Sequence, residues 1–99
     1  MGGARERPER LAEKLLQIRT ALGISQGDML SRVGLGESGY RHYISHFETG
    51  KREPPLRILL QYARAANVYV EVLIDDGLNL PDELPSTTKS EGVRRRKRR

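Results

Sequence analysis

The chain has 99 residues, no cysteine, no tryptophan and a net charge of +5 at pH 7. That length allows one domain around one core. The lack of cysteine excludes disulfides, thiolate zinc sites and cysteine nucleophiles, as expected of a protein of the reducing cytosol. No apolar run is long enough to cross a bilayer and the first residues hold no apolar signal core, so the expectation is a soluble, cytoplasmic protein with no membrane partner.

The charge is unevenly placed. Residues 1–88 carry 11 basic and 12 acidic side chains, whereas residues 89–99 carry seven basic and one acidic. The basic character therefore belongs to a tail, and residues 86–99 are read as disordered. If the folded part binds nucleic acid, such a tail adds sequence-independent, salt-sensitive attraction to phosphates.

Residues 1–7 read as a flexible N-terminus. Residues 8–76 then form the domain. Pro8 suits a first helical turn, where its missing amide costs nothing. Leu11, Leu15, Ile18 and Leu22 make an inward stripe widened by Ala12 and Leu16, leaving Glu9, Arg10, Glu13, Lys14 and Gln17 outside. Gly23 stops this helix. Ser25 and Asp28, a Ser-x-x-acid pair, open a second helix over about 26–33, which buries Met29, Leu30 and Val33 and ends at Gly34.

A third helix is expected from about Gly39 or Tyr40, capped by Ser38 and closed by Thr49-Gly50. Tyr40, Ile44 and Phe47 recur at helical spacing and face inward, which puts Arg41, His42, Ser45 and His46 on the outer face. Residues 49–55 form a turn with paired prolines. Helix 4 spans about 55–66, burying Leu56, Leu59, Leu60, Ala63 and Ala66, and Asn67 supplies its left-handed stop. Val68 to Ile74 alternates like a strand, yet Val70, Leu73 and Ile74 also share a face of a short helix. Asp75 and Asp76 read as solvated. Residues 77–85, with Leu78, Leu80 and Leu84 among prolines, form an extended arm.

The fold class is thus all-α, a bundle of about five short helices. Two short helices joined by a glycine-rich turn, with hydrogen-bonding side chains outside the second, describe a helix-turn-helix that offers its second helix to the DNA major groove. Arg41 is the best base-reading candidate, since it can donate twice to guanine; the alternative for each of these residues is a solvated surface side chain. His42 and His46 stand at a spacing that can chelate zinc. With no cysteine, no third histidine and Tyr43 where a catalytic site needs glutamate, the expectation is no metal and no cofactor. Gly34, Gly36 and Gly39 lie between helices and make turns; no nucleophile and base are brought together, so no enzyme is expected.

The segments L-x-x-I-R-x-x-L-G-I-S-Q (Leu15 to Gln26), I-S-H-F-E-T-G-K-R-E-P (Ile44 to Pro54) and A-x-V-x-V-x-V-L (Ala66 to Leu73) together resemble the Xre or lambda-repressor-like helix-turn-helix family. The resemblance covers about two thirds of the chain. It implies a lambda-repressor-like bundle in which Arg41, His42, Ser45 and His46 read bases. It also implies that Gln26, Tyr40, Tyr43, Lys51 and Arg52 meet phosphates and that Arg19 pairs with Glu48. The turn holding Leu35, Gly36, Glu37 and Ser38 is longer than usual for the family, so the resemblance fixes Tyr40 to His42 less closely than Ser45 and His46.

The resulting expectation is a sequence-specific transcriptional regulator, a nucleoid-associated repressor, binding double-stranded DNA as a homodimer through apolar material among Val70, Val72, Leu78 and Leu80. Three alternatives stand beside it. One is a DNA-binding antitoxin whose arm covers a partner toxin. The others are a protein-interaction adaptor and a non-specific nucleic-acid binder driven by the tail.

Overall fold

The computed structural model of the chain describes residues 7–36 and 41–85. Among these, all regular structure is helical: α1 Leu11–Leu22, α2 Gln26–Arg32, α3 Tyr43–Thr49, α4 Leu56–Ala66 and α5 Val70–Ile74. Helix α1 is central, packing on α3, α4 and α5, while α2 packs on α3 and α4 on α5. The expectations for residues 1–6, for Glu37 to Tyr40 and for residues 86–99 lie outside the described residues.

The helix ends follow the sequence closely. The Ser25 side chain accepts the Asp28 amide at 3.0 Å, satisfying one of the donors a helix start leaves open. At the other end of α2, Gly34 adopts φ 89°. The Gly34 amide then reaches Ser31 O at 3.1 Å and the Leu35 amide Leu30 O at 2.8 Å, the paired bonds of a left-handed helix stop that a side chain at position 34 would strain. Asn67, with φ 61°, does the same for α4 without being a glycine. Pro55 sits just before α4 in extended conformation, and its carbonyl accepts the amides of Ile58 and Leu59 at 3.0 Å each.

Several sequence expectations are corrected. Helix α1 begins at Leu11, not Pro8, and the two residues before it are tied down from a distance: the Asp76 carboxylate accepts the Glu9 amide at 2.8 Å and the Arg10 amide at 3.0 Å. Those two backbone bonds hold the Asp76 carboxyl below its usual range. Arg10 in turn donates to the Asp76 carbonyl at 3.0 Å, so the segment after α5 is tied to the start of α1. Asp75 is also engaged, accepting the Gly77 amide at 2.9 Å. Neither aspartate is the merely solvated residue expected.

Lys14, expected outside, is fully buried; its Nζ donates to the carbonyls of Val72 at 2.8 Å and Asp75 at 3.0 Å, at the C-terminal end of α5. Leu16, by contrast, is exposed. Residues 68–74 resolve as a helix over Val70–Ile74, with Leu73 in the core, because Leu73 can reach α1 and α4 from one helical face. The arm folds back: Leu80 is buried and Leu84 half-buried, so Leu80 is unavailable for a dimer contact.

In α4, Leu56 is 82 % exposed, because its position in the first turn carries it past the edge of the core. Tyr62 takes a place in that core instead. Its ring is wholly buried, and its hydroxyl is the one buried side-chain polar atom among the described residues without a hydrogen-bond partner. Burial pushes this phenol far above its ordinary value of 10.0; the Glu48 carboxylate adds to the shift and Arg19 opposes it. The unfolded chain releases the proton near pH 10 while the folded chain keeps it, so stability falls as pH rises above 10, by about 1.4 kcal/mol per pH unit for this one group. Tyr62→Phe is expected to change stability at pH 7 by between zero and about +1 kcal/mol, since it removes an unsatisfied polar atom, and to flatten the alkaline loss. Urea unfolding of both proteins at pH 7 and pH 11 measures this; equal alkaline losses would contradict it.

Candidate functional site

Helix α3 is anchored by Ile44 and Phe47, both buried against α1 and α2. This inward pair turns the remaining side chains towards the surface. Helix α3 begins at Tyr43, after the expected start at about Gly39 or Tyr40, with His42 as the residue before its first turn. The buried contacts that stabilise the helix start only at Ile44, and short helices take their stability from such packing. Arg41 and His42 therefore stand in the turn that leads into α3, both exposed, while Ser45 and His46 lie within the helix and are half-buried.

Glu48 is the one acid of α3, and it does not share that surface. Its carboxylate, only 5 % exposed, receives Arg19 Nε at 2.6 Å and Arg19 Nη2 at 3.2 Å, a two-pronged pairing from α1. Gln26 Nε2 donates to the same carboxylate at 3.1 Å. Arg19 Nη1 completes the set on the Ile24 carbonyl at 3.0 Å. The hydrogen bond to Glu48 holds the Arg19 guanidinium above its ordinary value. One network thus joins α1, the start of α2 and the end of α3. Gln26, expected to point at phosphate, places one of its two amide hydrogens on this network and is half-buried.

With Glu48 turned in, the outer surface around α3 is cationic. Lys51 and Arg52, both exposed, follow directly after α3. The Arg52 amide donates to the His46 carbonyl at 3.2 Å, and its guanidinium lies 5.1 Å from the centre of the Tyr43 ring, within cation–π range. Tyr43 is itself half-buried and stacked on Phe47 at 6.0 Å, so it supports Arg52 as well as standing at the surface.

No family model, curated protein or solved structure matches this chain.

His42 and His46 stack at 6.1 Å. The His46 imidazole is held below 6.5 by desolvation, then by Lys51, Arg52 and His42 around it. A neutral imidazole has one donor and one acceptor nitrogen, so the surface offers both kinds of hydrogen bond beside fixed positive charges. Arg7 joins this region, donating from Nη1 to the Gly50 carbonyl at 3.4 Å. Sequence reasoning missed it, because nothing in a charged, glycine-rich N-terminal segment marks one arginine as docked. Among the described residues, no group of three or more histidine, cysteine or acidic side chains could hold a metal ion, and no helix is long and apolar enough to cross a membrane.

Proposed function

We propose that this chain is a sequence-specific DNA-binding regulator, built on the plan of the Xre or lambda-repressor-like proteins that its motifs resemble. In this reading α2 and α3 form the helix-turn-helix, and the outer side of α3 with the turn before it enters the major groove. Arg41, His42, Ser45 and His46 meet base edges there, and Lys51 and Arg52 grip the phosphates beyond. One short helix reads few base pairs, so the chain acts as a two-fold dimer on half-sites about 34 Å apart, most simply to repress transcription.

The observation that carries the reading is the disposition of charge on α3. Its single acid is withdrawn onto Arg19 and Gln26, while Arg41, His42, Lys51 and Arg52 are exposed. A surface from which the acid of α3 is withdrawn and which presents several donors suits a polyanion with readable edges. The part played by α3 is binding, and no covalent step is assigned to it.

The experiment is fluorescence anisotropy on labelled duplexes over a range of salt. Lys51→Ala and Arg52→Ala should each weaken binding to all sequences alike and reduce the slope of log K against log salt by about 0.9, the share of one phosphate contact. Arg41→Ala should instead remove about 1–3 kcal/mol of discrimination between preferred and unrelated duplexes. DNA affinity unchanged in all three variants would overturn the proposal.

A further inference from the structure

His42 and His46 are the only two histidines of the chain, and the fold sets them one helical turn apart. The His46 amide donates to the His42 carbonyl at 2.9 Å, which fixes the spacing of their Cβ atoms. Their rings lie 6.1 Å apart between centres and 22° from parallel. His42 is exposed and His46 half-buried, so both are within reach of solvent.

Two imidazoles on one tetrahedral ion, with metal–nitrogen bonds of about 2.0–2.1 Å, put their ring centres roughly 5 Å apart. The observed pair is about 1 Å wider than that geometry, a gap that side-chain rotation must close for both rings to meet one ion. Coordination needs neutral imidazole. Nitrogen donors of this kind suit zinc and its neighbours rather than magnesium or calcium.

We propose that His42 and His46 together chelate a zinc-class divalent ion where the turn before α3 meets the helix. No third histidine, cysteine or acidic ligand stands beside the pair among the described residues. Lys51 and Arg52 repel a dication, so the ion is exchangeable and not a structural element of the fold. Where the DNA-binding reading holds, a bound ion occupies the ring nitrogens that would meet bases; that consequence rests on the proposed function, whereas the chelate does not.

The test is a titration of the full chain with zinc chloride at pH 7.5, following the two imidazole signals by NMR, with circular dichroism to verify that each variant is folded. Both rings are expected to shift together and saturate at one ion per chain. His42→Ala and His46→Ala should each weaken zinc binding by at least about tenfold, the loss of a second tethered ligand. Zinc affinity unchanged in either variant, or two rings that respond at different zinc concentrations, would overturn the chelate. Zinc binding as expected from a metal-free chain that binds no duplex would remove the regulator reading and leave the chelate standing.

Discussion

Arg19→Ala is expected to destabilise the domain by about 3–5 kcal/mol, the cost of leaving a buried carboxylate without its counter-charge. Glu48 is 5 % exposed and Arg19 20 %, and with Arg19 gone only the Gln26 amide, at 3.1 Å, remains on the carboxylate. A domain of this size is stable by about 5–15 kcal/mol in total, so the variant sits close to unfolding. Glu48→Ala should cost a comparable amount, because the guanidinium is then stranded between α1 and α3. The double variant should cost clearly less than the sum of the two, since no charge is left unpaired. Urea unfolding of the four proteins at pH 7 measures this. Additive losses, or single losses near those of exposed ion pairs at below about 1 kcal/mol, would contradict the role assigned to the pair.

The second large effect belongs to Lys14. Lys14→Ala is expected to cost about 2–4 kcal/mol, combining a lost buried stem with the loss of a charged donor from two carbonyls at the end of α5. Lys14→Met keeps most of the volume and isolates the polar part, at about 1–3 kcal/mol. The charge is not held without opposition. Desolvation lowers the Lys14 proton affinity and Arg10 adds to that, while Asp76, Asp75 and Glu13 act against it. Because the folded-state value lies below 10.5, the unfolded chain binds the proton more tightly, and this residue adds stability as pH rises through the window beneath 10.5. Lys14→Met should remove that rise. A variant as stable as the parent at pH 7 would show that the two carbonyls do not need the Lys14 donor.

Much of the architecture was legible because the relevant signals are local. Ser25 and Asp28, Gly34 and Asn67 mark helix ends through the chemistry of their own backbone neighbourhood, and each end falls where that chemistry puts it. What was misread was residue type set against spacing. Position 14 lies three after Leu11 and four before Ile18, and position 62 three after Leu59 and four before Ala66, so both stand on the buried stripe by period alone. The charge at position 14 argued for the surface, and position 62 was assigned to neither face. The carbonyls at the end of α5 that accept Lys14 are 58 and 61 residues away, and no local pattern announces them. The same holds for Asp76, whose partners at the start of α1 are 66 and 67 residues distant.

At the candidate site, the Arg19 and Glu48 contact was legible only through a resemblance that supplied both positions together, since the pair spans 29 residues. Gln26 was placed on DNA by that same resemblance, and its bond to Glu48 was not foreseen. The later start of α3 has a physical origin: Tyr43 is the neighbour of the first buried residue, Ile44, and the polar Arg41 and His42 bring no apolar surface to extend the helix.

Selection of bound sequences from a pool of random duplexes addresses the central claim most directly, carried out with the whole chain and with the chain lacking residues 89–99. The account predicts one enriched motif shared by both proteins, arranged as two half-sites in two-fold symmetry, and its loss when Arg41 and Ser45 are both replaced by alanine. A folded chain that enriches no motif, or one whose every trace of binding vanishes with the tail, would contradict it.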